Sequence, residues 1–264
     1  MKRIYVLYIL LTAALIPLQV MAQNLKPEQR LEKIRNDAPM GEITPLFERK
    51  AFIPQDSSRK ILTYFLYRPA EPYPRDLKFP LVFVLHGAPG RAYGAESLTS
   101  DDMKTAFPAF IVVPVLSQTS HWVDTKQSGQ KYEALYDVAA LAKDLISSQQ
   151  IDPKRVYIAG CSDGGTGVFG SAMLFPDVFA AGLAISGAWE EQFAPKMTTM
   201  PLWAIHGAND EVIPPSFARN TVAAIQKNGG KAYYTEIKDM AHNCPSKNLY
   251  TPEIWSWLFR QAKP

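Results

Sequence analysis

Hydrophobic and polar positions follow two different periods along this chain. Some apolar runs are short and uninterrupted, as in strands buried on both faces of a parallel sheet. These runs are residues 81–85, 110–113, 156–159, 181–185 and 202–205. Helical spacing of apolar residues is found at 132–148, 164–174, 215–227 and 252–262. With a further strand at 232–237, the alternation predicts an α/β fold: a mostly parallel twisted sheet with helices on both faces.

The N-terminal part of the pattern is different. Two alternating or apolar runs, 46–53 and 61–67, are joined by the polar stretch 54–59 and predict an antiparallel hairpin at the edge of the sheet. Residues 23–42 are polar and form a lead-in segment. No repeat, low-complexity tract or Gly/Ser linker divides the chain, so we expect a single domain over 23–264.

Residues 1–22 have the pattern of a secretory signal peptide. Lys2 and Arg3 precede an apolar run that continues to Leu18, and cleavage is expected after Ala22. A transmembrane anchor is disfavoured because the run is short and contains Pro17. We therefore expect a periplasmic or secreted protein without a stable membrane anchor. Without this segment 26 Lys and Arg face 25 Asp and Glu with no basic stripe, which argues against nucleic acid as a partner.

The run at 156–159 ends in Gly160-Cys161-Ser162-Asp163-Gly164, immediately before a predicted helix. A Gly-x-Ser-x-Gly on a strand-to-helix turn presents a serine hydroxyl beside a helix N-terminus, where developing negative charge is favoured. We interpret Ser162 as a nucleophile. The alternative is a glycine-rich turn with a capping serine.

A serine nucleophile needs a base and an orienting acid. His242 follows the last predicted strand and is the candidate base; His86 and His206 stand at strand ends before glycines and are expected to be packed. Asp210 follows the strand 202–205 and is the candidate acid. Its rivals are Glu211 and Asp239.

The candidate oxyanion donors are two backbone N–H groups. One belongs to Asp163, directly after the nucleophile; the other is assigned to Ala88, because Gly87 and Gly90 let that loop approach closely. Three aromatic side chains on loops at the same end of the sheet are candidates for substrate binding, with ordinary packing as the alternative for each. They are Tyr93, Trp122 and Trp189.

The chain has two cysteines, Cys161 and Cys244. Neither has a second cysteine or histidine at zinc-like spacing, so no metal site is predicted. A disulfide between them is the alternative to the favoured interpretation, in which the residue before an elbow serine points into packing.

The chain resembles the α/β-hydrolase superfamily, in particular bacterial secreted esterases of the feruloyl and acetylxylan esterase group (carbohydrate esterase family one) and polyhydroxybutyrate-depolymerase-like proteins. It is also similar to the catalytic domain of the prolyl oligopeptidase family. The matching segments are 84–87, 151–157, 175–181, 206–214 and 241–243. The order Ser, Asp, His is that of the α/β-hydrolases. The resemblance implies that Ser162, Asp210 and His242 form a triad and that no cofactor is needed.

Some features of the chain differ from that pattern. Members of the group often carry Met where this chain has Asp163. Dienelactone hydrolases carry Cys in the nucleophile position, whereas the cysteine of this chain, Cys161, stands one residue before it. The segment 186–200 is too short for a lid domain, which predicts an open cleft.

The leading hypothesis is a secreted serine carboxylesterase acting on a small-molecule or polysaccharide-borne ester, with acetyl or feruloyl esters as the expected substrates. The alternatives are a serine peptidase of the prolyl oligopeptidase type and a catalytically inactive hydrolase-fold protein that binds glycans.

Overall fold

The computed structural model of the protein describes residues 45–54, 61–87, 90–116, 120–123 and 132–264. Within these residues eight strands form one sheet. In chain order they are β1 (Glu48–Phe52), β2 (Leu62–Tyr67), β3 (Phe79–Leu85), β4 (Phe110–Val115), β5 (Ile151–Cys161), β6 (Ala181–Ile185), β7 (Leu202–Gly207) and β8 (Ala232–Ile237).

The strand order across the sheet is β1-β2-β4-β3-β5-β6-β7-β8. Strands β1 and β2 pair antiparallel, from Glu48 opposite Leu66 to Phe52 opposite Leu62, and β2 pairs antiparallel with β4. All remaining pairs are parallel. The predicted edge hairpin and the predicted parallel sheet are therefore both confirmed. The expected signal peptide at 1–22, the lead-in at 23–42 and most of the hairpin connection lie outside the described residues.

Six α-helices lie between or after the strands in the described part of the chain. They are α1 (Tyr93–Leu98), α2 (Asp101–Ala106), α3 (Glu133–Ser148), α4 (Asp163–Leu174), α5 (Pro215–Lys227) and α6 (Pro252–Phe259). Short 3₁₀ turns occur at Glu191–Lys196 and Lys247–Leu249. The helices α1 and α2 were not predicted, because six residues are too few for a helical period to be visible.

The hydrophobic core has two parts because neighbouring residues of a strand point to opposite faces of the sheet. Along β3, Leu81, Phe83 and Leu85 belong to the cluster that also holds buried residues of α3, α4 and α5. Val82 and Val84 belong to the second cluster, with buried residues of α1 and α6. The sheet is therefore covered on both faces, as the apolar runs predict. This is the α/β-hydrolase architecture, and the carboxyl ends of its parallel strands are the usual place for a ligand.

Candidate active site

Ser162 occupies a sharp turn between β5 and α4. Its backbone has φ 61° and ψ −122°, a conformation that costs a non-glycine residue roughly 1–3 kcal/mol. The turn requires glycine on both sides: a Cβ on Gly160 would lie 2.5 Å from the backbone of Gly164, and a Cβ on Gly164 would lie 2.2 Å from the carbonyl oxygen of Leu85. The sequence pattern therefore folds into the strand-to-helix elbow that it predicts.

The imidazole of His242 lies between the hydroxyl of Ser162 and the carboxylate of Asp210. The Ser162 Oγ–H donates to His242 Nε2 at 2.9 Å, and His242 Nδ1–H donates to Asp210 Oδ2 at 2.7 Å. Ser162 follows β5, Asp210 follows β7 and His242 follows β8. Three side chains that are far apart in sequence thus meet at one edge of the sheet, in the order serine, histidine, aspartate.

The carboxylate of Asp210 is buried and fully engaged. Its Oδ1 accepts the backbone N–H groups of Val212 and Ile213 at 3.0 and 2.9 Å. Burial alone would raise the pKa of Asp210, but the backbone N–H of Ile213 and the imidazole of His242 outweigh burial and lower it. The acid therefore stays ionised beside His242. The rival acids Glu211 and Asp239 are exposed.

A second histidine also contacts Asp210. His206 is buried, and its Nε2–H lies 2.9 Å from the carbonyl oxygen of Ile213 and 3.1 Å from Asp210 Oδ2. Burial lowers the pKa of His206, which keeps the ring neutral. The sequence predicts the packing of His206 at the end of β7 but gives no sign of its contact with the candidate acid.

His86 is packed, as expected, and its ring orders the neighbouring loops. Its Nε2 accepts the backbone N–H of Leu116 at 3.1 Å, and its carbonyl oxygen accepts Trp122 Nε1–H at 2.8 Å. Burial lowers the pKa of His86 as well.

The region of the predicted oxyanion donors is only partly described. Asp163 is the first residue of α4, where backbone N–H groups have no partner within the helix. Ala88 lies outside the described residues, but Gly87 in the same loop is described: a Cβ there would be 3.0 Å from the carbonyl oxygen of Cys161 and 3.2 Å from Ser162 Cβ. The loop therefore approaches the serine as closely as backbone can.

The carboxylate of Asp163 is directed to another loop. It accepts the backbone N–H of Trp122 at 3.2 Å and lies 3.2 Å from Nδ1 of His121. The backbone of Asp163 thus lies beside the serine, while its carboxylate contacts His121 and the backbone of Trp122.

The three aromatic candidates separate into two groups. Tyr93 lines the pocket at Ser162. Trp122 has no exposed surface and Trp189 is 5% exposed, and both belong to the core cluster beneath α3 and α4. These two tryptophans are therefore ordinary packed residues in the structure. Rings that are fully or almost fully buried offer no face to a substrate.

Cys161 and Cys244 form a disulfide, with their Cα atoms 5.9 Å apart. The favoured expectation that Cys161 packs without a bridge is therefore wrong. The residue before Ser162 does point into buried surroundings, but the loop after His242 brings Cys244 to the same place. The bridge joins the residue before the candidate nucleophile to a residue two positions after the candidate base.

A pocket of about 140 Å³ opens at Ser162. It is lined by Gly87, Arg91, Tyr93, Ser162, His242, Cys244 and Pro245. Arg91 was not predicted to lie at the site; the one available signal was its position as a cation immediately after the glycine-containing loop that follows β3.

Metal-binding clusters and membrane-spanning helices are both absent from the described residues. These residues hold no cluster of His, Cys, Asp and Glu that could bind a metal ion. None of the helices in the described part of the chain is long and apolar enough to cross a membrane.

Similarity to solved structures supports the fold. A thermostable esterase superposes with a TM-score of 0.75 and 27% identity, covering 83% of this chain and 64% of the esterase. An acylaminoacyl peptidase of Pyrococcus horikoshii superposes with a TM-score of 0.62 and 18% identity, covering 83% of this chain but 42% of the peptidase. At that identity the second likeness concerns the fold alone.

Two sequence relatives are plant proteins. A carboxylesterase of Arabidopsis thaliana, SOBER1, is 25% identical over 138 residues, which are 50% of this chain and 59% of that protein. A probable SOBER1-like carboxylesterase of the same plant is 24% identical over 155 residues, covering 56% of this chain and 58% of the relative. The chain thus spans less than two thirds of either relative. The phospholipase/carboxylesterase family model matches residues 97–251, more than half of the chain, and this protein therefore belongs to that family.

Proposed function

We propose that this protein is a serine carboxylesterase that works through an acyl-enzyme. The observation that carries the proposal is the unbroken hydrogen-bond line from Ser162 through His242 to Asp210, with donor–acceptor distances of 2.9 and 2.7 Å. A hydroxyl becomes a useful nucleophile when a base takes its proton as it attacks. In this arrangement His242 can take the proton of Ser162, and Asp210 can stabilise the imidazolium that forms.

In the first half-reaction Ser162 Oγ attacks the ester carbonyl while His242 Nε2 takes the hydroxyl proton. Asp210 holds Nδ1–H, fixes the tautomer and stabilises the imidazolium that forms. His242 then gives the proton to the departing alcohol oxygen. In the second half-reaction water attacks the acyl-enzyme, His242 takes a proton from that water and returns it to Ser162, and the acid is released.

The tetrahedral intermediate carries its negative charge at the N-terminus of α4. The backbone N–H of Asp163 is one proposed donor, and the loop that contains Gly87 supplies the second, for which Ala88 remains the candidate. Loss of one such donor typically costs about 3–4 kcal/mol of transition-state stabilisation.

The choice of ester over amide chemistry is supported by the family and by the relatives named as carboxylesterases. The peptidase of P. horikoshii shares the fold at 18% identity and is more than twice as long as the part matched here. A peptidase of the prolyl oligopeptidase type therefore remains an outcome of the test and not a second proposal.

We also propose a cellular location and a substrate class for the enzyme. The N-terminal pattern at residues 1–22 supports export to the periplasm or the medium. The pocket at Ser162 is small, with Tyr93 on its wall, which suits a short acyl group or a phenolic ring. We propose acetyl or feruloyl esters, including those on polysaccharides, as substrates.

The test combines labelling with turnover. We expect a fluorophosphonate probe to label the wild type and S147A, whose serine is exposed at the end of α3, but not S162A. Hydrolysis of p-nitrophenyl acetate and methyl ferulate is expected in the same two proteins. Cleavage of aminoacyl-proline anilides without ester turnover would replace the esterase by a peptidase, and absence of labelling would leave the inactive glycan-binding protein.

A further inference from the structure

The pocket at Ser162 carries a fixed positive charge on one wall. Of its seven lining residues, Arg91 is the single side chain with a permanent charge. Asp163, the acidic residue next to Ser162, is not part of this wall, because its carboxylate is held by His121 and by the backbone of Trp122. Arg91 is therefore the lining residue that can meet an anionic group of a substrate with an opposite charge.

Two residues of α1, Tyr93 and Glu96, are among the neighbours of Arg91. Its guanidinium carbon lies 5.1 Å from the ring centroid of Tyr93, a cation–π distance. One of its nitrogens also lies 3.2 Å from a carboxylate oxygen of Glu96. Both members of this ion pair are substantially exposed, 47% for Arg91 and 37% for Glu96. An exposed ion pair contributes only about 0–1 kcal/mol, so an anion on a bound substrate can compete with Glu96 for the guanidinium.

The position of His242 indicates where the alcohol half of an ester lies. His242 Nε2 must deliver its proton to the oxygen of the leaving alcohol, so the alcohol half lies on the His242 side of the serine. His242, Cys244 and Pro245 line the same pocket as Arg91. Because this pocket is only about 140 Å³, a substituent on the alcohol half shares it with the guanidinium.

We infer that Arg91 selects esters whose alcohol half carries an oxyanion group, a carboxylate or a phosphate. The planar guanidinium offers paired N–H donors that match both groups, and its attraction for an anion is stronger at the wall of a pocket than in open water. This inference rests on the proposed function. A polysaccharide ester meets the requirement where the sugar bearing the ester also carries a carboxylate.

The test uses acetyl esters of rigid phenols, in which the anion cannot attack its own ester. The pair 4-acetoxybenzoate and 4-acetoxybenzamide differs in charge at nearly constant shape, and 4-acetoxyphenyl phosphate tests the second anion. For the wild type we expect kcat/KM to be at least tenfold higher for 4-acetoxybenzoate than for the amide, and the ratio to fall in 0.5 M NaCl because salt screens the attraction.

Three variants assign the preference to the guanidinium. In R91Q the ratio of the two kcat/KM values should fall about tenfold. In E96Q, which removes the competing carboxylate, the ratio should rise severalfold. R219Q is the matched control, since Arg219 pairs with Glu236 outside the pocket, and both rates should stay within twofold of the wild type. Thermal unfolding of each variant checks that it is folded.

The outcomes separate the inference from the proposed function. Hydrolysis of the neutral ester without preference for either anion, or a ratio that R91Q leaves unchanged, would overturn the inference alone. A response to the phosphate but not to the carboxylate would restrict the selected group to phosphates. If S162A retained the esterase activity, or if no ester were hydrolysed, the proposed function would fail and the inference with it.

Discussion

His206 and His242 contact the same carboxylate oxygen in different surroundings. Oδ2 of Asp210 lies 3.1 Å from His206 Nε2 and 2.7 Å from His242 Nδ1. His206 is the penultimate residue of β7 and has no exposed surface, whereas His242 stands in the loop after β8 with 18% of its side chain exposed. Only His242 also contacts Ser162.

The difference shows how one carboxylate can serve two imidazoles. Burial disfavours a charge on His206, and its Nε2–H is shared with the carbonyl of Ile213. A neutral His206 orients Asp210 without cancelling its charge. The charge then remains available for the imidazolium that His242 becomes during the proposed reaction. Burial thus distinguishes His206, which we propose positions Asp210, from His242, which we propose transfers the proton.

The largest expected effect comes from removing His242, and removal of His206 is its comparison. H242Q should lower kcat for p-nitrophenyl acetate by about 10⁴-fold or more, because a glutamine amide is not basic enough to take the proton of Ser162. H206Q keeps an N–H donor near Asp210 and should cost about tenfold or less. Steady-state kinetics measure both, with circular dichroism and thermal unfolding as the check on folding. Equal losses in two folded variants would contradict the division of roles.

The sequence could predict the three residues of the hydrogen-bond line because chain order and strand ends carry that information. Ser162, Asp210 and His242 each follow a predicted strand, and parallel strands end at a common edge. The same reasoning placed His86 and His206 in the packed interior. The contact between His206 and Asp210 could not be predicted, since it depends on the tight turn at 207–210.

Contacts made by loops could not be predicted from the sequence patterns. Cys244 meets Cys161, and Arg91 reaches the pocket of Ser162, through loop paths that hydrophobic periodicity does not record. Trp122 illustrates the converse error, because a tryptophan on a loop at the correct edge of the sheet is nevertheless fully buried. Residue type and strand order locate a site, whereas its walls depend on loop geometry.

An intermediate effect should come from the cystine, which anchors the loop of His242 and not the strand of His206. The bridge spans 83 residues and joins the neighbourhoods of Ser162 and His242. In the double variant C161A/C244A we expect kcat to fall roughly tenfold and the free energy of unfolding to fall by about 2–5 kcal/mol. Kinetics and denaturant unfolding measure the two effects.

Treatment with dithiothreitol provides the control for the cystine. The wild type should lose activity on reduction towards the level of the double variant, whose activity should not respond. A double variant with wild-type kcat would show that packing alone positions His242. Loss of activity in both proteins on treatment would show that the reagent acts elsewhere.

The smallest effect concerns the charge state of His206 and appears in stability. Its pKa is lowered in the folded protein, while an unfolded histidine titrates near pH 6.5. Above that pH the ring is neutral in both states and the full stability is present. As the pH falls below about 6.5 the unfolded chain takes up a proton that the folded protein refuses, so the free energy of unfolding decreases by at most about 1.4 kcal/mol per pH unit for this group.

Comparison of the wild type with H206Q isolates this contribution, because buried His86 also has a lowered pKa and is present in both proteins. Denaturant unfolding at intervals from pH 7.5 to 5.0 should show a shallower loss of stability in H206Q. The lowered pKa of Asp210 adds its own loss only towards pH 4 and below, outside this window. Parallel curves for the two proteins would mean that His206 accepts a proton as readily in the folded state as in the unfolded chain. Asp210 would then lie between two histidines able to carry positive charge, and burial could not be what separates their roles.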